Sequence, residues 1–359
     1  MAEFKKPADF RSFVESTHWD DVSTYLNTAQ QALRTEIEVN ARNEAEFRGR
    51  LKEKLTGGDF SKNLHEVTKE DLLRARDVLR NDVCAVDGTL AKVELLSGTR
   101  SQIGIVAVNY QNERATHVTY VTEASYSQYN SSEDVLDSLQ SKKKEKRVVS
   151  DLVLRATMAY FERKHALRHS AKWKILHGEL FPFELRSGLG ELKALDTTIA
   201  LFREVASQPT IGSVVSDTGS IDKYIGYAIE PFHYFIVESL KREYDDWLQN
   251  DAHFSKMDQA KFQVFVDEVA GNYYRAVYRV GPRPFVFFAH KDYIHEFASI
   301  LMADASLVPE RGFPILVDYA DSMCSSLFRA GDFDRRIQHE LALQGEFLRE
   351  QSERAFRQH

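Results

Sequence analysis

Two cysteines in 359 residues are too few for a disulfide framework. Cys84 and Cys324 both lie in apolar segments, which reads as a pair of reduced core thiols and not as a disulfide or a zinc site. No apolar run is long enough to cross a bilayer. The stretch from Met1 to Pro7 has none of the apolar core of a secretory signal, so we expect a cytoplasmic protein with no membrane segment. Positive charge is scarce as well. With 47 Lys and Arg against 54 Asp and Glu, the formal net charge is −7, which argues against a general nucleic-acid coat protein. It leaves room for an enzyme that acts on nucleic acid, because net charge says little about one local groove.

What the chain does have is an ordinary globular composition, 43% hydrophobic and 28% charged, over a length that can bury one elaborated domain or two small ones. Its most informative stretch is 81–110, and within it Val83-Cys84-Ala85-Val86-Asp87-Gly88-Thr89-Leu90. A short apolar β-prone run bounded by polar residues favours a buried strand over a helix. Asp87 is then expected at the end of a central strand, where burying a charge is costly unless it is paired or metal-bound. Gly88 would let a phosphate or metal approach the backbone. The plainer alternative is a turn aspartate, since Asp-Gly is a common turn signal. β-prone segments at 93–96, 102–108 and 117–121 extend the run into an antiparallel meander.

Before the meander the pattern is helical, over 20–42 and 43–55, then broken by Gly57-Gly58. Thr68 followed by Asp71 predicts an N-capped helix with Leu72, Leu73, Ala75, Val78 and Leu79 on its apolar face. After the meander, 125–141 reads as a loop. Lys142 to Arg147 is a basic run, either a phosphate contact or a solvated helix end. A helix is predicted over 148–169, with Glu162, His165 and His169 on one face. That spacing is not the His-Glu-x-x-His zinc signature. It leaves Glu162 as either an inward carboxylate or part of an exposed basic face with Arg163, Lys164 and Arg168.

The segment Trp173-Lys174-Ile175-Leu176-His177-Gly178-Glu179-Leu180 repeats the first motif: an apolar strand, a polar residue, then Gly. His177 stands at the strand end and Glu179 two positions on, as ligand and carboxylate of a metal site or as a loop histidine and a surface glutamate. A helix over 196–205, a buried strand over 210–216, mixed structure over 224–268 with a helical charged patch at 237–247, strands over 273–280 and 285–288, and a helix over 294–303 follow. Gly312-Phe313-Pro314 then leads into a helix reaching Leu327. Asp318 and Asp321 lie one turn apart on it, either closing a metal site or, for Asp318, capping the helix. The segment 331–359 reads as a polar helical tail.

Taken together, these segments resemble the NurA family of nucleases, partners of the hexameric HerA ATPase. The resemblance covers about 83–327. It rests on Val86-Asp87-Gly88-Thr89, similar to the family's opening Asp-Gly-Ser, and on Leu176-His177-Gly178-Glu179-Leu180, placed like its second Asp-Gly-Ser-Leu. Ile211-Gly212-Ser213-Val214-Val215 is like its following strand, and Gly312-Phe313-Pro314 through Ala320-Asp321 like its Gly-Tyr-Pro and Ala-His ending. The resemblance implies an RNase H-like α/β fold: a central mixed β-sheet flanked by helices over 81–330, with an N-terminal helical arm over 1–80 and a C-terminal helical tail over 331–359. It implies a Mn²⁺- or Mg²⁺-dependent deoxyribonuclease for DNA repair or anti-phage defence, homodimeric, acting on DNA with a HerA-like hexameric ATPase. The site it implies is Asp87, Glu162, His177, Glu179 and Asp321, with Asp87, Glu162, Glu179 and Asp321 holding metal and His177 ligating Mn²⁺ or positioning water. Three positions depart from the family: His177 for its second aspartate, Phe313 for its tyrosine, Asp321 for its histidine. A catalytically silent adaptor that binds the ATPase and DNA is the alternative these departures favour. A metal phosphoesterase acting on other substrates is a third.

Overall fold

The structure is a computed structural model that describes residues 10–15, 21, 45–93, 100–111, 114–122, 150–188, 194–217, 219–250, 255–327 and 332–343. The predicted helix over 20–42, the loop at 125–141, the basic run at 142–147 and most of the C-terminal tail lie outside these residues. The chain forms two compact units, 1–54 and 55–359. In the first, Phe10–Glu15 and residues 45–54 are helical. The rest of this description concerns the second.

One nine-stranded mixed sheet organises that unit. Its strands are β1 (Leu64–Glu66), β2 (Val83–Val93), β3 (Arg100–Val108), β4 (Arg114–Thr122), β5 (Trp173–His177), β6 (Ile211–Val215), β7 (His233–Ser239), β8 (Tyr273–Arg279) and β9 (Pro284–His290), in the order β1-β7-β8-β9-β6-β5-β2-β3-β4. The predicted meander is β2, β3 and β4, paired antiparallel. β5 pairs parallel with β2, and β6 parallel with β5. The run β4-β3-β2-β5-β6, with β3 opposed to the rest, is the strand order of an RNase H-like core. Beyond it β9, β8, β7 and β1 add on antiparallel.

Parallel strands in mid-sheet are covered on both faces and read as unbroken apolar runs. The first half of β2 fits this rule, with Val83 to Val86 buried, and β5 fits it apart from Lys174, whose ammonium donates to Gln208 at 2.9 Å. Their side chains alternate between two cores. Cys84, Val86 and Leu176 join one, packed by helices Ser150–Arg168, Leu195–Ala206, Leu240–Asn250 and Lys256–Glu268. Val83, Ala85 and Ile175 join the other, packed by helices Lys69–Asp82, Ile294–Ala305 and Ile315–Leu327. The result is three layers, helices over sheet over helices. Both thiols are free and buried, and burial pushes Cys84 up to about 12. Among the described residues no helix is long and apolar enough to cross a membrane.

Local capping follows the sequence closely. Thr68 accepts from the Asp71 amide, and Asp71 accepts from the Thr68 amide at 3.0 Å, the reciprocal pair of a capping box. Three expectations need correction. β2 is one strand through Val93, so Asp87 lies in mid-strand, and the rest of the predicted 93–96 strand lies outside the described residues. The Asp87-Gly88 pair makes no turn, because β3 continues the ladder past it, with Asp87 opposite Val106 and Gly88 opposite Ile105. The 237–247 helical patch begins only at Leu240, and His233–Ser239 before it is strand β7.

Candidate metal centre

The register of β2 on β5 builds the site. Val86 lies beside Leu176, so the next residues, Asp87 and His177, come side by side where β5 ends. Ligand sites in open α/β sheets collect at the carboxyl ends of parallel strands in this way. The pleat turns Asp87 towards the 315–327 helix, where the Cys324 thiol donates to its backbone carbonyl at 3.3 Å and Asp321 stands close by. The pleat turns Gly88 the other way, to the 150–168 helix. A Cβ on Gly88 would lie 2.3 Å from Glu162 Oε1 and 2.6 Å from Met158 Cγ, so a larger residue there would push both side chains from their places. The close approach expected at Gly88 is thus filled by Glu162.

Asp87, His177 and Asp321 each offer one ligand atom, and these atoms lie within 4.8 Å of one another. His177 Nδ1 is 3.3 Å from Asp87 Oδ1, and its Nε2 is 3.2 Å from Ser216 Oγ. The imidazole also packs against Phe313, with centroids 5.9 Å apart. Phe313 is buried and meets Phe285 on its far side, so it fills space beside the histidine with no hydroxyl to offer. After His177 the chain turns through Gly178 at φ 92°, a left-handed conformation that glycine adopts freely.

Glu162 lines the same cavity, about 630 Å³, with Asp87, His177, Glu179, Asp321, Arg155 and Phe183 among its walls. It is 5% exposed, and its Oε2 accepts from Arg163 at 3.0 Å. Arg163 is itself buried, which corrects the exposed basic face expected there. Its guanidinium donates to the carbonyls of Ala159 and Leu180 at 2.8 and 2.9 Å and to that of Glu179. Helix and turn are thereby tied by one side chain. Glu179 offers this tie its carbonyl, while its carboxylate pairs with Arg186 at 3.1 Å. Arg186 in turn lies over the rings of Tyr244 and Trp247.

Electrostatically the cluster is strained. Burial pushes the Glu162 carboxyl up to about 7, against the pull of Arg163 and with the push of Asp87. Asp321 is raised by burial and then by Asp87. Burial works to lower the His177 imidazole, but the hydrogen bond and charge of Asp87, with Asp321 and Glu162 behind it, carry it upward. Each group is displaced in the direction that a missing positive charge would reverse. Two carboxylates and an imidazole converging within such a span fit a divalent cation, with Glu162 at hand.

The other sequence candidates fall elsewhere. His165 pairs with His117 at 4.2 Å between centroids, and His169 accepts from the Ala171 amide at 3.1 Å, so neither shares a ligand group with Glu162. Asp318, one turn before Asp321, pairs with Arg311 at 2.6 Å. The start of that helix is capped instead by Asp304, buried on the neighbouring helix, whose Oδ2 accepts from the Leu316 amide at 2.8 Å. Ser216 and Cys324 were not anticipated. For Ser216 a signal was available: it follows β6 directly, as the third polar residue at the end of an apolar strand run after Asp87 and His177.

No protein-family model and no curated protein matches the chain. The chain is similar to solved structures of NurA. The NurA nuclease from Sulfolobus solfataricus is 12% identical with a TM-score of 0.48, over 88% of this chain and 96% of that chain. A second NurA structure is 10% identical with a TM-score of 0.49, over 88% and 97%. A NurA bound to dAMP and manganese is 8% identical with a TM-score of 0.45, over 86% and 95%.

Proposed function

We propose that this chain is a divalent-cation-dependent nuclease that cuts DNA. The observation that carries the reading is the convergence of Asp87, His177 and Asp321 within 4.8 Å where β5 ends beside the middle of β2, next to the buried Glu162. Asp87, His177 and Asp321 would hold the ion, with Glu162 adding an oxygen. Glu179 acts through its ion pair with Arg186 and shapes the wall. The imidazole among the donors favours Mn²⁺ over Mg²⁺, which prefers oxygen throughout. Such an ion would supply Lewis acidity and would lower the pKa of a bound water. The chain's own part is to exclude bulk water behind Phe313 and Met158, to orient the phosphodiester against Asp87, and to leave the cavity open for the strand.

The same reading makes the protein a cytoplasmic homodimer that works with a HerA-like hexameric ATPase in DNA repair or anti-phage defence. An acidic chain captures DNA poorly by long-range attraction, and a translocating ring that feeds in the strand makes up for this. We assign residues 1–54 of the arm and the tail over 331–359 to these assemblies, since β1 and the Lys69–Asp82 helix belong to the sheet unit. A silent adaptor is the second reading, favoured by the departures at His177, Phe313 and Asp321. The gathered acids oppose it, because a binding subunit gains nothing from repelling carboxylates. Incubation with plasmid, linear duplex, single-stranded DNA and small phosphodiesters, each with Mn²⁺, Mg²⁺ or EDTA, separates the readings. Cleavage of DNA that needs Mn²⁺ is the expected result. No cleavage by protein that still co-purifies with the ATPase establishes the adaptor. Hydrolysis of small phosphodiesters alone removes DNA as the substrate.

A further inference from the structure

We propose that Ser216 is a positioning residue for His177: its hydroxyl holds Nε2 and so keeps Nδ1 turned onto the cluster formed with Asp87 and Asp321. The proposal rests on the metal-dependent reading above and names the residue that lets an imidazole serve where carboxylates surround it.

The two ring nitrogens face unlike partners. Nδ1 is 3.3 Å from an oxygen of Asp87, and Nε2 is 3.2 Å from Ser216 Oγ. A carboxylate can only accept, whereas a hydroxyl can donate or accept by rotating. Ser216 can therefore donate to a bare Nε2 or accept from a protonated one. A ligating nitrogen must lose its proton. When Nδ1 serves a cation, the ring proton belongs on Nε2, where it needs an acceptor, and Ser216 Oγ becomes one. The serine thus satisfies the ring in both states without the ring turning over. The fold supplies the rest of the aim. Ser216 directly follows β6, whose Val214 pairs with His177 itself, so the hydroxyl is delivered by the adjoining parallel strand. Phe313 closes another side of the ring. Metal-bound histidines are commonly steered by such an outer partner, and its loss costs roughly 10–100-fold in metal affinity.

The chain Asp87, His177, Ser216 is also the order of a nucleophilic relay, in which the hydroxyl would attack the substrate. The two roles put the ring proton on opposite nitrogens once a cation is present. Titration calorimetry with Mn²⁺ on the full chain, its Ser216→Ala variant and its Ser216→Thr variant tests the proposal. It is paired with ¹⁵N-histidine spectra of the Mg²⁺-saturated proteins above the titration of His177. We expect Ser216→Ala to bind Mn²⁺ about tenfold more weakly and Ser216→Thr to stay within about threefold of the parent. We also expect the His177 Nε2–H resonance to persist in the parent and the Thr variant and vanish in the Ala variant. Equal Mn²⁺ affinity in the parent and Ser216→Ala overturns the proposal, as does a proton found on Nδ1 or a fluorophosphonate adduct on Ser216. A parent that binds no Mn²⁺ overturns the metal reading and this proposal with it, and the parent's own isotherm tells that case from the others.

Discussion

Around Arg275, three carboxylates share one guanidinium: Asp222 at 3.2 Å, Glu243 at 3.6 Å, and Glu238. Around Asp87 a comparable number of acids gather, and neither Asp87 nor Asp321 has a Lys or Arg within ion-pair distance among the described residues. Arg163 answers Glu162 alone, and His177 is the remaining counterweight. Both groups lie on the same sheet, and both cost solvation to bury. The difference teaches what each is for. Where a fixed cation is built in, the acids hold β7, β8 and their helices together. Where it is left out, the site keeps a deficit of positive charge that a divalent ion can fill.

The comparison can be broken most directly at Asp87. We expect Asp87→Asn to lower Mn²⁺-dependent DNA cleavage by at least about 10³-fold, roughly 4 kcal/mol of barrier. Its melting temperature in EDTA should match or exceed the parent's, because a repelling charge is gone. Cleavage at the parental rate would remove Asp87 from the site, and a lower melting temperature would make the cluster structural. Arg275→Met should do the reverse. Leaving Asp222, Glu238 and Glu243 uncompensated should cost about 3 kcal/mol in urea unfolding, since the arginine is only a quarter exposed. The affinity for Mn²⁺ should not change.

Asp304 sharpens the contrast, being a buried acid with a structural task and no basic partner in its hydrogen bonds. Burial pushes its carboxyl up to about 6, although Tyr110 and the Leu316 amide pull it down. Between the ordinary carboxylate value and about 6, the folded protein therefore holds a proton that the unfolded chain has released. Stability contributed by Asp304 is highest below that window and falls as pH rises through it, by on the order of 3 kcal/mol. In Asp304→Asn, whose amide oxygen still accepts from Leu316, denaturation curves between pH 4 and 7 should show a slope smaller by that share, the remainder belonging to Glu162. An unchanged slope would assign it to other groups. The smallest effect is expected at Thr68→Ala, far from both clusters in sequence. Loss of the capping box should cost about 1 kcal/mol in chemical denaturation, with Mn²⁺ binding as in the parent. A change in Mn²⁺ affinity there would mean that the two kinds of region are coupled.

Much of this was legible in the residues. Apolar runs marked β5 and β6, the Thr68-Asp71 spacing marked a capped helix, and the motif around His177 was seen to echo the one around Asp87 before their pairing was known. What failed did so for local reasons. Asp87 was expected at a strand end because Asp-Gly closes the apolar run, whereas pairing with β3 carries β2 on through Val93. β7 was absorbed into the helix that directly follows it, since Glu238 to Arg242 looks helical on charge alone. Arg163 was placed in solvent on the company of Lys164 and Arg168, although its acceptors are carbonyls 16 and 17 residues away and a helical turn behind it. Glu179 was read from its place after Gly178, and its ion pair with Arg186, which packs over two aromatic rings, had no sign in the sequence.

The Arg163 clamp also divides the cavity by stiffness. By holding carbonyls of both the 150–168 helix and the turn after His177, it welds Glu162 and that turn into a single unit with no slack between them. Asp321 is mounted separately, on a helix anchored from behind by Asp304. The cluster is thus carried on two separately tied supports, and we expect amide exchange in the 150–168 and 315–327 helices to respond differently when a divalent ion is added.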